Sequence, residues 1–215
     1  MSPVSPGAVL LPLTDEEGER LLVRARAGVA SAAAGIRTPP PPWPLPASFA
    51  QPRDVFVTLT QEGRLRGCLG TWKAGGTLLD NLDRAARGAA CDDPRFAPLE
   101  HGDVERVAIE VTVLDPPVVI DGPGGLTIGR HGVSVTHRSG RGLLLPQVAV
   151  EHGLGAEEFL RLACRKAGLP PDAWRRDAIL EAFPARVFSE SRKDPAASTS
   201  GGDGSPERQE PAESS

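Results

Sequence analysis

Val55-Phe56-Val57-Thr58-Leu59-Thr60 alternates in the manner of a strand, and Gln61-Glu62-Gly63 leads from it into a second extended run, Arg64-Leu65-Arg66-Gly67-Cys68-Leu69-Gly70. Two runs separated by turn residues predict an antiparallel β-hairpin. Side chains two apart on a strand share a face, so Arg66 and Cys68 are expected to point one way and Leu65 and Leu69 the other. Gly67 and Gly70 weaken a strand, so they predict either a close approach of other backbone or a bend. A guanidinium beside a thiol favours the thiolate, the reactive form of cysteine. The alternative is a packed cysteine behaving as a small hydrophobe.

Other elements follow in order. Thr14-Asp15-Glu16-Glu17 has the form of a capping box, and Leu22, Ala25 and Val29 continue it as a helix over about 15–34, stopped near Gly35. The run Thr38 to Pro46 excludes helix and central strand, and reads as a stiff connector with Trp43 tucked against the domain. A second helix is expected from Thr77 to near Cys91. Asp93-Pro94-Arg95-Phe96 is a turn in which an Asp–Arg pair locks the loop or faces a cleft. Val107, Ile109, Val111 and Val113 mark one face of a strand over 105–114, with Glu110 on the other face. Glu110 requires a partner such as Arg66, serves as a general acid or base, or faces solvent. Three short strands are expected at 126–128, 133–136 and 142–145. The first turn between them carries His131, either a proton-transfer group or a bystander. Pro146 opens a helix with Gln147 in its first turn. A further helix places Cys164 on its apolar side, and Ala185–Phe188 is expected as a final strand.

Charge and cysteine usage narrow the classes. With 24 Lys and Arg against 28 Asp and Glu, the net charge is -4, and no basic block appears, so nucleic-acid binding is not expected. No leading basic segment precedes an apolar run, and no stretch is long and apolar enough to span a membrane. Three widely spaced cysteines do not form a disulfide framework, which points to the cytoplasm. No metal site is expected, since CxxC and HxxxH spacings are absent. Phosphate-loop and nucleophile-elbow motifs are missing too. No cofactor can be named. Residues 1–13 are expected to be flexible, and 191–215, rich in Ser, Gly, Pro and Glu, disordered.

The segments LRGCLGTW (Leu65–Trp72), DPRF (Asp93–Phe96), IEVTVLDPP (Ile109–Pro117), IGRHGV (Ile128–Val133), GLLLPQVAVEHG (Gly142–Gly153), FLRLACRKAGLPPDAW (Phe159–Trp174) and FPARVFSE (Phe183–Glu190) occur in this order. Together they resemble the Alport-syndrome, midface-hypoplasia and elliptocytosis chromosomal-region (AMMECR-type) domain family, whose bacterial members are called AmmeMemoRadiSam system protein A. The usual signature carries Ile at the position of Leu69. The resemblance implies an α+β architecture in two lobes, each with an antiparallel sheet flanked by helices, and a cleft faced by the signature. The larger lobe is placed at about 14–117 and 176–190, the smaller at about 118–175. The family brings no established activity. Its bacterial name implies partnership with a Memo-like protein and a radical S-adenosylmethionine protein in a modification pathway.

Two functional readings result. In the first, the domain is a cysteine-dependent enzyme or enzyme component: Cys68 is nucleophile or covalent carrier, Arg66 steadies the thiolate or an anionic substrate group, and His131 or Glu110 moves protons. In the second, the cleft binds a peptide, protein or small molecule without chemistry. Arg66, Gly67, Gly70, Asp93, Arg95 and Gln147 are the candidate binding residues in either case. A nucleic-acid-linked regulator is a weaker third reading.

Overall fold

Thr14 opens the first helix as its sequence requires. In the computed structural model, which describes residues 10–190, the Thr14 hydroxyl accepts the Glu17 N–H at 3.1 Å and the Glu17 carboxylate accepts the Thr14 N–H at 2.7 Å. Helix α1 (Asp15–Ala33) buries Leu21, Ala25 and Val29 and ends where Gly35 adopts a positive φ of 68°. Helix α2 (Leu78–Arg87) has its own capping box, Thr77 with Asp80, and runs into a π-helical turn over Gly88–Asp92. The expectations for residues 1–9 and 191–215 lie outside the described residues.

The expected hairpin is present as β1 (Asp54–Gln61) and β2 (Arg64–Gly70). Strand β3 (Val107–Leu114) pairs with β1 on its other side. The short β4 (Val118–Ile120) was not expected, because Pro116-Pro117 just before it suppresses a strand reading. The meander has two strands rather than three, β5 (His131–His137) and β6 (Gly140–Leu144). Leu126–Ile128 pairs with no strand, and the Thr127 carbonyl accepts the His131 N–H in a turn. Helices α3 (Pro146–Glu151) and α4 (Ala156–Lys166) follow, and the last strand, β7, extends over Ile179–Ser189, well beyond the expected 185–188.

That length joins the sheet. Ala185–Ser189 of β7 pairs with β3, while Ile179–Pro184 pairs with β5, and Leu180–Ala182 also with β4. The two antiparallel ladders therefore run together as seven strands in the order β2-β1-β3-β7-β5-β6, with β4 beside β7. Pro184 interrupts nothing, because its carbonyl accepts the Asp115 N–H at 2.9 Å just where β3 gives way to the β4 segment.

Two hydrophobic clusters support this α+β sheet. Val57, Leu59, Ile109 and Val111 pack with Leu21, Val29 and Leu82 of α1 and α2. Val133, Val135 and Leu180 pack with Phe159, Leu160 and Cys164 of α4. Each such fully buried aliphatic side chain contributes about 1.5–3 kcal/mol. Helix α4 lies directly on β6, where a Cβ at Gly140 or Gly142 would clash with the Ala167 or Ala163 carbonyl. Among the described residues no helix is long and apolar enough to cross a membrane.

Candidate functional site

Cys68, Thr58, Glu110 and Ser189 are register partners, one after another, across β2, β1, β3 and β7. Alternation turns this row away from the α1/α2 cluster, onto the other face of the sheet. The Thr58 hydroxyl donates to Cys68 Sγ at 3.3 Å, and the Ser189 hydroxyl donates to Glu110 Oε2 at 3.1 Å. From α3, Gln147 Nε2 donates to Glu110 Oε1 and to Thr112 Oγ1, both at 2.9 Å. Gln147 Oε1 is sealed from solvent and receives no donor. Helix α3 follows β6, at the opposite end of the strand order from β2. Its bonds to β3 therefore require the sheet to curl, and the polar row lies on the inner face of that curl.

An edge strand leaves backbone N–H and C=O groups unpaired. At β2 the Asp93–Phe96 turn takes them up. Asp93 Oδ2 accepts the Cys68 N–H at 2.8 Å, and Arg95 NH2 donates to the Cys68 carbonyl at 3.3 Å. Arg95 also grips Asp93 through two bonds, Nε to Oδ1 at 3.0 Å and NH2 to Oδ2 at 2.7 Å. The Asp93 side chain is 3% exposed, and these bonds, those from Arg95 foremost, hold its carboxyl far below the usual carboxylate range. Arg95 keeps 54% of its side chain exposed. The pair thus locks the loop to the strand and leaves a cation in solvent next to the thiol.

Arg66 is not that cation. A β-bulge between Leu59 and Thr60 on β1 pairs these with Gly67 and Leu65, so Arg66 is the extra, unpaired residue and the expected alternation with Cys68 breaks. Its guanidinium donates to the Ala97 carbonyl at 2.9 Å and reaches the Pro98 carbonyl at 3.5 Å. Gly67 lies on the helix face, where a Cβ would strike the Ala89 carbonyl of the π-helical turn, and Gly70 makes room for the Phe56 ring. Both glycines thus serve close approach, one of the two alternatives their presence implied.

His131 is not brought to Cys68. It pairs with Pro184, five residues along β7 from the Glu110 partner Ser189, a separation of about 16 Å at the usual strand rise. Its Nδ1 accepts the Thr127 N–H at 3.2 Å. Sequence reasoning also missed Lys166, which reads as an ordinary basic residue closing a helix. The residue is exposed overall, and partial desolvation of its ammonium holds the pKa below the ordinary lysine range, with the Cys68 thiol acting the other way.

Cys68 itself is half-buried and free, as are Cys91 and the fully buried Cys164. Burial pushes the Cys68 thiol up from its ordinary pKa. The Thr58 hydroxyl and the charges of Arg95 and Lys166 pull it down without overcoming that cost. Among the described residues no group of three or more His, Cys, Asp or Glu is placed to hold a metal ion. A groove of about 390 Å³ lies elsewhere, along α1, the 35–38 segment and α2, and contains none of these residues.

The AMMECR1 family model matches residues 22–188. A protein of Methanothermobacter thermautotrophicus is 41% identical over 186 residues, covering 83% of this chain and 97% of its own. A protein of Thermococcus onnurineus is 39% identical, with 83% and 92% covered. The crystal structure of an uncharacterized protein from Pyrococcus horikoshii superposes with a TM-score of 0.78 at 37% identity, over 83% of this chain and 93% of that one. The chain belongs to the AMMECR1 family.

Proposed function

We propose that the inner face of the curl around Cys68 is a ligand-binding site, and that the domain acts as the substrate-holding component of a reaction rather than its sole catalyst. The observation that carries this reading is the polar row Cys68–Thr58–Glu110–Ser189, clamped by Gln147 from an element far along the chain. The cleft then lies between residues 14–117 with 176–190 on one side and 118–175 on the other. Glu110, held in place by Gln147 and Ser189, accepts N–H or O–H donors, and Arg95 and Lys166 receive an anionic group. These requirements describe a peptide or an amino-acid-like ligand. A raised thiol pKa supports Cys68 as a neutral lining group in the resting protein. Partners of the Memo-like and radical S-adenosylmethionine classes would supply the chemistry, and free cysteines suit a cytoplasmic setting.

A second reading rests on the two cations near the sulfur. Once a bound ligand or partner removes the Cys68 proton, Arg95 and Lys166 stabilise the thiolate, and the domain becomes a cysteine-dependent enzyme component with Glu110 as a proton carrier. Alkylation by iodoacetamide across pH, with Cys91→Ser and Cys164→Ala background changes, separates the two. The first reading expects Cys68 to react with a midpoint above that of free cysteine. A midpoint below neutrality overturns it in favour of the second.

A further inference from the structure

Away from the polar row, the groove along α1 and α2 presents three exposed guanidiniums, those of Arg37, Arg84 and Arg87, beside Ala32 and the 61% exposed Ile36. We propose that this groove docks an acidic segment of a partner protein, its carboxylates paired with the three arginines and an apolar side chain resting on Ala32 and Ile36.

The groove is charged because its one carboxylate is already taken. Asp83 receives Arg24 Nε at 2.7 Å and Arg24 NH2 at 2.6 Å, and the same guanidinium donates to the Pro39 carbonyl. Arg24 is 6% exposed, so this fork ties α1, α2 and the connector together as a rigid wall. The lining arginines have little of their own. Arg84 reaches only Asn81 Oδ1 at 3.4 Å, Arg87 only Asp92 at 3.9 Å, and Arg37 no carboxylate among the described residues. On a chain with a net charge of -4, three under-neutralised arginines at one groove are a local reversal of sign.

The surroundings select the ligand class. No helix start borders the groove, so it lacks the cluster of free backbone N–H groups that wraps a phosphate, and anion recognition there falls to the guanidiniums alone. No aromatic side chain lines it, so bases have nothing to stack on. The lining lacks the apolar and aromatic majority of a small-molecule cleft. Guanidiniums spread along an open trough, with one apolar seat, match separated carboxylates on an extended or helical segment.

Fluorescence anisotropy with the full chain and a labelled Glu-rich peptide carrying a central leucine tests this. Binding is expected at low salt and should weaken as salt is added. The Arg84→Glu/Arg87→Glu variant should weaken it by about tenfold or more, the scale of one or two charge-assisted contacts. Unchanged thermal unfolding and unchanged Cys68 alkylation would show the fold and the polar row intact. Arg138→Glu, at the exposed β5–β6 turn, should bind as wild type. No peptide binding by the wild type, equal loss in the Arg138 variant, or tighter binding of a polythymidine strand of matched charge would each overturn the proposal.

Discussion

Asp93 holds the sequence signature in place although it lies outside it. Its carboxylate accepts from Cys68 N–H and from the backbone and guanidinium of Arg95, while its side chain is almost fully enclosed. Asp93→Asn keeps the shape but loses the charge, leaving these donors poorly matched. It is expected to cost about 1–3 kcal/mol near neutral pH. The folded-state carboxyl lies below its unfolded value, so its stabilisation is complete above the ordinary carboxylate range and is lost as pH falls below it. Wild-type and variant urea midpoints should therefore converge on acidification, starting near about pH 4. Parallel curves down to strong acid would contradict the assignment. At this scale the sequence was a partial guide. The sequence marks Cys68, Glu110 and Gln147 as candidates and these share one network or row, whereas the expectation for Arg66 rests on strict alternation that a bulge interrupts. Lys166 is not legible as a candidate, because nothing local distinguishes an ordinary helix-closing lysine from one whose charge reaches a distant thiol.

Among elements, the contact between β2 and the π-helical turn is the tightest constraint on the site. Gly67 allows the Ala89 carbonyl to lie against the strand, and the same turn delivers Asp93 to the strand edge. Gly67→Ala must push these apart, with an expected loss of about 1–3 kcal/mol. It should also expose the Cys68 amide to faster hydrogen exchange, which mass spectrometry of the 64–70 peptide would read. Unchanged protection there would mean that the turn is not what seats Asp93. Local chemistry makes most elements legible: the start of α1 by its capping box, β1 and β3 by alternation of apolar residues, and α4 by its apolar side. The sequence predicts β7 at less than half its length. Pro184 argues against a continuous strand, and only the handover from β3 to β4 beside it makes a missing donor harmless.

For the molecule as a whole, the two hydrophobic clusters share one strand rather than a linker. Phe159 is fully buried in the second cluster, and Phe159→Ala should cost about 3–5 kcal/mol. Its effect should reach the first cluster: urea unfolding followed by tryptophan fluorescence and by far-ultraviolet circular dichroism should remain one coincident transition, shifted to lower denaturant. Separate transitions would show that the clusters unfold independently. The unbroken β7 ribbon has a further consequence for how a guest reaches the thiol. A continuous run of backbone pairing has no soft joint, so the halves cannot swing apart as a clam does without tearing rungs from the ladder. A guest at the proposed site would therefore meet a preformed concavity rather than one that closes around it. The 71–77 segment adds to that stiffness, since Trp72 rests on Phe183 at 5.0 Å, Lys73 is tethered to Glu181 at 2.6 Å, and Asp54 accepts the Lys73 N–H at 2.6 Å.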